Sequence, residues 1–288
     1  MTRKIAWTAI EAPLDSSGTS RGEERAPAAL RQAGLFKRLG ADVVVVTEAL
    51  IRNPGRDPTT GMIAVHEVLG ATSAIAAAVR TVLADGGRKP LVVGGDCTVL
   101  LGVFLALPRG VRLWFVDGHA DFEDGESSTT GEAADMDLAI LTGYGPAGIF
   151  DDRPPLVDPG SVTLLGHRPD HVSAEVAREN ARIDPAIHAL TADEVRNHGA
   201  AAVGREIAGE GQPTWLHVDL DVLDERALPA VTYRQPGGLG WEDVIALAGP
   251  LAGASRLVGV SIADFNPDLD PTGRHARQVA DTFAAMLA

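Results

Sequence analysis

Short runs of apolar, often β-branched residues alternate with alanine-rich stretches along the whole chain, and this rhythm leaves few folds open. The runs fall at 5–10, 42–46, 91–93, 111–116, 162–165, 187–190, 214–219 and 257–262. They are continuous rather than alternating, as expected of strands buried on both faces. Between them, 62–84, 173–180, 192–208, 241–251 and 274–287 read as helices. Strands that alternate with helices build a parallel sheet covered on both sides. The expected fold is therefore α/β, a three-layer α/β/α sandwich with a mainly parallel sheet. Its 288 residues are ample for one buried core. With no repeat or low-complexity tract, a single domain spanning 1–288 is the simplest organisation. Polar residues rich in Pro, Gly and Thr at 53–61 predict a surface loop. A longer insert at 122–135 directly follows a strand end, which is where open α/β sheets place their chemistry.

Charge and cysteine content narrow the setting. Twenty-five Lys and Arg face 39 Asp and Glu, a net charge of −14. Such a chain repels a phosphate backbone, so nucleic acid is excluded as a partner. One cysteine cannot form an internal disulfide, and a reducing, cytoplasmic location is expected. The apolar stretch at 5–10 meets Glu11 and Pro13, too soon for a signal peptide or a membrane span.

Three strand ends are unusually polar: Gly94-Gly95-Asp96-Cys97, Asp117-Gly118-His119-Ala120-Asp121 and His217-Val218-Asp219-Leu220-Asp221. Alternation puts Asp117, His119 and Asp121 on one side wherever the chain stays extended, and likewise His217, Asp219 and Asp221. Aspartates alone could be turn residues. Four of them converging without Lys or Arg would repel one another unless cations lay between them. Two divalent metal ions resolve the conflict. Carboxylate oxygens with imidazole suit Mn²⁺ first, with Zn²⁺, Co²⁺ or Fe²⁺ as competitors. No Walker A loop, dinucleotide glycine motif or nucleophile elbow is present.

In these motifs the chain resembles the ureohydrolase family of arginases, agmatinases and formiminoglutamases. Gly94-Gly95-Asp96-Cys97 is similar to the family's G-G-D-H, the 117–121 run to its D-A-H-x-D, and the 217–221 run to its S-x-D-x-D. Arg21-Gly22 with Ala26-Pro27-Ala28-Ala29-Leu30-Arg31 resembles an early family segment, and Ala263-Asp264-Phe265-Asn266-Pro267 a late one. The resemblance implies an arginase-like fold and a metal-dependent amidinohydrolase. Asp117 and Asp219 would bridge two metals, with Cys97 and Asp121 completing one coordination sphere and His119 and Asp221 the other. A water between the ions would attack the trigonal carbon of a guanidinium or amidine. Asp121 would orient it, and Asp264, where the family has a glutamate, would hold the guanidinium. Family members also imply a homo-oligomer.

Departures from the family pattern set further expectations. Cys97 replaces a histidine, as it does in family members that hydrolyse Nω-hydroxyarginine. It reads either as a soft ligand favouring Zn²⁺ or Fe²⁺, or as a small buried hydrophobe. Ala134 falls where arginases carry a proton-relaying histidine. His217 is then either the proton donor or a residue that supports the ligands. Glu123, near Ser128 and Thr130, stands where arginases bind the substrate α-carboxylate, and His171 where an aspartate binds the α-ammonium. Arginine itself becomes a poor fit. The acidic residues Glu123, Asp124, Glu126 and Glu132 are a solvated loop or a cation-selecting rim. Two rivals remain: a formimino- or deacetylase-type C–N hydrolase, and a metal-binding but inactive homologue.

Overall fold

The protein is described by a computed structural model covering residues 5–46, 55–150, 153–209 and 211–288. Eight parallel strands form one sheet: β1 (Trp7–Ala12), β2 (Asp42–Val45), β3 (Lys89–Gly94), β4 (Arg112–Val116), β5 (Val162–His167), β6 (His188–Thr191), β7 (Thr214–Asp219) and β8 (Leu257–Ala263). Their order is β2-β1-β3-β8-β7-β4-β5-β6. All eight expected strands are present, shifted at most by a few residues at their ends.

Side chains that alternate along each strand feed two separate cores. Trp7, Ala9, Trp114, Val116, Leu216 and Val218 enter one, whereas Ile10, Leu113, Phe115 and Trp215 enter the other. The first core is closed by α1 (Ala26–Gln32), α2 (Leu35–Leu39), α7 (Ala192–His198), α8 (Ala200–Ala208), α9 (Trp241–Ala252) and α10 (Arg274–Leu287). The second is closed by α3 (Val65–Ala84), α4 (Val99–Ala106) and α5 (Asp137–Thr142), while α6 (Ala174–Asn180) borders the strand ends. This is the expected three-layer sandwich. By length and composition α3 could cross a membrane. Here its Val68, Ala71, Ile75 and Val79 are buried, and it packs on α4, β1 and β3.

One expected helix divides. The stretch 192–208 breaks at Gly199, whose φ of 83° ends α7 before α8 begins. Glycine adopts that conformation without a Cβ clash. Of the loop expected at 53–61, residues 53 and 54 lie outside the described residues. The rest is pinned to the 122–135 insert by Arg56, which donates to Ser128 O at 3.0 Å, and just past the loop Ile63 N–H donates to Gly131 O at 2.8 Å. The insert thus has a fixed floor rather than being a free excursion.

β3 and β4 are consecutive in sequence, yet β8 and β7 lie between them. The crevice beyond the C-terminal ends of these four neighbours is where parallel sheets bind ligands. All three polar motifs, together with Asp264, emerge there.

Candidate active site

After β3 the chain turns on Gly94-Gly95-Asp96. A Cβ on Gly95 would lie 1.7 Å from the Leu14 carbonyl oxygen, so only glycine lets the two segments touch. Asp96 then accepts the Ser16 N–H at 2.6 Å and the Thr98 N–H at 3.1 Å, fixing the turn that presents Cys97. The Cys97 thiol is buried and donates to Ala134 O at 3.1 Å. Beyond β4, Asp117 accepts the His119 N–H at 2.7 Å, and the chain reaches Asp121 in the left-handed region at φ 48°. Beyond β7, Asp219 accepts the Asp221 N–H at 2.7 Å. Beyond β8, Asp264 is also left-handed, at φ 64°, with its N–H donated to Gly95 O at 2.7 Å. Non-glycine residues adopt this region infrequently, and here two aspartates so held converge on one place.

These turns gather the side chains closely. Ligand-type atoms of Asp117, His119 and Asp221 lie within 4.8 Å of one another, as do those of Asp117, His217 and Asp219. The same holds for Cys97 with Asp219 and Asp264, and for Cys97 with Asp121 and Asp137. Asp117, Asp219 and Cys97 each belong to two of these sets. His119 Nδ1 stands 2.9 Å from Asp221 Oδ2. Burial lowers the His119 pKa, but the charge and hydrogen bond of Asp221 with the charge of Glu179 together outweigh it, and the net shift is upward.

The electrostatics call for a cation. Burial, reinforced by Asp221, pushes Asp117 and Asp219 well above the ordinary carboxylate range. Burial and neighbouring acids do the same to Asp121 and Asp264. Oδ2 of Asp117 and Oδ2 of Asp264 are buried without hydrogen-bond partners. Arg168 is the buried guanidinium nearby, but it donates to the backbone oxygens of Asp221, Leu223 and Gln235 at 2.9–3.1 Å. Orphaned carboxylate oxygens around a common space fit divalent ions.

A cavity of about 580 Å³ opens over these groups. Cys97, Asp117, His119, Asp121, Asp219, Asp221 and Asp264 line its floor. Glu123 and Thr130 line its wall as expected, and Glu123 Oε2 lies 3.6 Å from Arg182. Ser128 does not reach the cavity. Its hydroxyl is committed to Asp135 at 2.7 Å and to the Gly131 N–H at 2.7 Å, so Ser127 and Thr129 line the wall instead.

Two further expectations need correction. His171 precedes the N-cap Ser173 of α6 and turns outward, its side chain 71% exposed and 3.8 Å from Asp193. It is absent from the cavity wall, where Glu175, Arg178 and Glu179 of α6 stand. His217 does share a face with Asp219, but it lies two residues back along β7 and fully buried beneath the floor. Its Nδ1 pairs with Ser261 Oγ at 2.8 Å, and its ring stacks on Phe115. Burial lowers its pKa to about 3, which keeps it neutral. The geometry matches the ligand-supporting reading of His217, not the proton-donor one.

Of the acidic loop, Glu126 is exposed, whereas Glu132 is buried. Arg21 clamps Glu132 with bonds of 2.8 and 2.6 Å, and Tyr233 donates to it at 3.0 Å. Sequence reasoning did not find Asp137, Glu179 or Tyr233. Glu175, Arg178, Glu179 and Arg182 do recur at i, i+3, i+4 and i+7, a polar helical stripe that could have flagged the wall.

Comparison with known proteins identifies the family. The Arginase family model matches residues 6–288. The chain is 28% identical to the arginase of Bacillus caldovelox over 287 residues, covering 93% of each. The crystal structure of that organism's arginase superposes with a TM-score of 0.84 at 25% identity, covering 100% of this chain and 99% of the other. The agmatine ureohydrolase of Thermoplasma volcanium shares the fold, with a TM-score of 0.72 at 23% identity over 99% of this chain and 90% of the other. The chain belongs to the arginase family, and with it to the ureohydrolase-type hydrolases.

Proposed function

We propose that the protein cleaves the C–N bond of a guanidino or related amidine compound in a metal-dependent hydrolysis, releasing urea or an analogue. The observation carrying this reading is the convergence of Cys97, Asp117, His119, Asp121, Asp219, Asp221 and Asp264 from four adjacent strand ends onto one cavity floor. Asp117 and Asp219 would bridge two divalent ions, with Cys97 and Asp121 on one side and His119 and Asp221 on the other. Mn²⁺ suits the mainly oxygen donor set, and the Cys97 sulfur draws the preference toward Zn²⁺, Co²⁺ or Fe²⁺. When bound, the ions lower the pKa of a water so that a nucleophile is available near neutral pH.

The residues of this chain do the rest. Asp121 accepts a hydrogen bond from the attacking water and aims it. Asp264, with Oδ2 unpartnered at the floor, accepts N–H bonds from the guanidinium, and those bonds are charge-assisted. His217 holds its place under Asp117 and Asp219 through Ser261. Water in the open cavity supplies the leaving-group proton, because Ala134 stands at the relay position and His217 does not reach the cavity. The reading includes a cytoplasmic setting and assembly into a homo-oligomer.

The walls shape the choice of substrate. Glu123, Glu175 and Glu179 face the cavity against Arg178 and Arg182, while Glu132 is paired with Arg21. Arg182 is already bonded to Asp124 and to Phe122 O. Excess negative charge favours cations and opposes the α-carboxylate of arginine, for which Glu123 is a repulsive neighbour. An agmatine-type guanidine with an amine tail should therefore show kcat/KM at least about tenfold above arginine, roughly 1.4 kcal/mol of transition-state binding. Guanidino, hydroxyguanidino and formimino compounds assayed with Mn²⁺-, Zn²⁺- and Co²⁺-loaded protein, reading urea and ammonia, test this. Arginine equal to or better than the amine-tailed compound contradicts it.

A further inference from the structure

Asp137 opens α5 on the Cys97 side of the floor and is 0% exposed. Neither of its carboxylate oxygens makes a well-formed hydrogen bond, and the polar groups against it are the Leu138 N–H and the Cys97 thiol. One of them lies within 4.8 Å of both the Cys97 sulfur and an Asp121 oxygen. A buried carboxylate left this way is costly unless something pairs with it.

Helix capping does not account for the residue. An acid at a helix start ordinarily accepts a free N–H of the first turn. Here Ala139 N–H already donates to Asp121 O at 3.2 Å and Ile140 N–H to Met136 O at 2.8 Å, and no side chain caps α5. The first of these bonds also ties α5 to the Asp121 turn, which keeps the Asp137 carboxylate beside that of Asp121. No cationic side chain is hydrogen-bonded or salt-bridged to it among the described residues.

We propose that Asp137 is a metal ligand of the Cys97 half of the centre, so that one divalent ion is held there by Cys97, Asp121 and Asp137 together with Asp219. This inference rests on the metal-dependent reading above. The two halves are then unequal. The Cys97 half offers sulfur and several anionic oxygens, whereas the other half offers an imidazole with Asp221 and the bridging pair. A thiolate among carboxylates favours Zn²⁺, Co²⁺ or Fe²⁺ over Mn²⁺ at that one position.

The test is metal binding to the apo form of the full chain, measured by titration calorimetry and by the thiolate-to-Co²⁺ absorption band, for wild type, Asp137→Asn and Asp137→Ala. Wild type should bind two ions. Each variant should weaken one of them at least tenfold, diminish or shift the Co²⁺ band and leave the other affinity within twofold. The apo variants should melt no lower than apo wild type, since each removes a poorly partnered buried acid. Unchanged affinities and an unaltered band overturn the role of Asp137 while leaving the centre intact. Apo variants that melt well below wild type also overturn it, by showing that the carboxylate supports the fold. A wild type that binds no divalent ion overturns this inference and the proposed function together.

Discussion

Asp219→Ala should lose both metal ions and reduce kcat/KM at least about a thousandfold, roughly 4 kcal/mol of transition-state stabilisation. Asp219 is common to two ligand sets, one with Asp117 and His217 and one with Cys97 and Asp264. Removing it takes a donor from both sets and also frees the Asp221 N–H that it holds at 2.7 Å. Stability should move the other way. Burial and the charges of Asp221 and Asp117 oppose ionisation of Asp219, so its removal relieves repulsion in the metal-free fold. The apo variant should therefore melt at or above apo wild type, while its holo form loses the stabilisation that bound metal supplies. Elemental analysis and thermal melts on the same samples separate loss of the site from loss of the fold. Two ions retained in Asp219→Ala would remove Asp219 from the bridge.

The second large effect concerns Cys97. Burial first, then the charges of Asp137 and Asp121, push its thiol well above the ordinary range, so an entering ion must displace a proton from sulfur. Cys97→Ser presents a weak neutral donor, and the ion on that side should bind at least about tenfold more weakly, roughly 1.4 kcal/mol. Cys97→His restores the residue of the common family pattern and should keep the site assembled with preference moved toward Mn²⁺. A merely buried hydrophobe predicts the reverse: serine nearly harmless to metal content, and the larger histidine disturbing the packing. Full metal retention in Cys97→Ser would exclude Cys97 from coordination.

The legibility of this fold followed from the physics of its strands. Strands buried on both faces announce themselves as apolar runs, and all eight were visible. Their spatial order was not, because no sequence pattern states that β8 and β7 fall between β3 and β4. Helix α4, Val99–Ala106, is apolar on every side and gives no amphipathic period to read. Helices α1 and α2 are short, and α5 has six residues, all buried.

The cavity floor was legible because three motifs each concentrate polar residues at the end of an apolar strand. The walls were less so. Asp137 heads an apolar run and reads as an ordinary acid at a helix start, and only the fold brings it against Cys97 and Asp121. Glu132 looks like one more member of a solvated acidic loop until Arg21, more than a hundred residues away, is brought against it. The family resemblance points to His171 as the ammonium partner, whereas the capped start of α6 directs it outward. Residues whose roles arise from loop geometry cannot be read before the loops are placed.

The most direct measurement is urea release from a guanidino substrate as metal-free protein is titrated with Mn²⁺, with bound metal determined in parallel. If Asp117 and Asp219 bridge two ions as proposed, turnover should continue to rise until about two ions are bound per chain. Full turnover at one ion per chain, or two bound ions with no hydrolysis of any guanidino or formimino compound, would contradict the account.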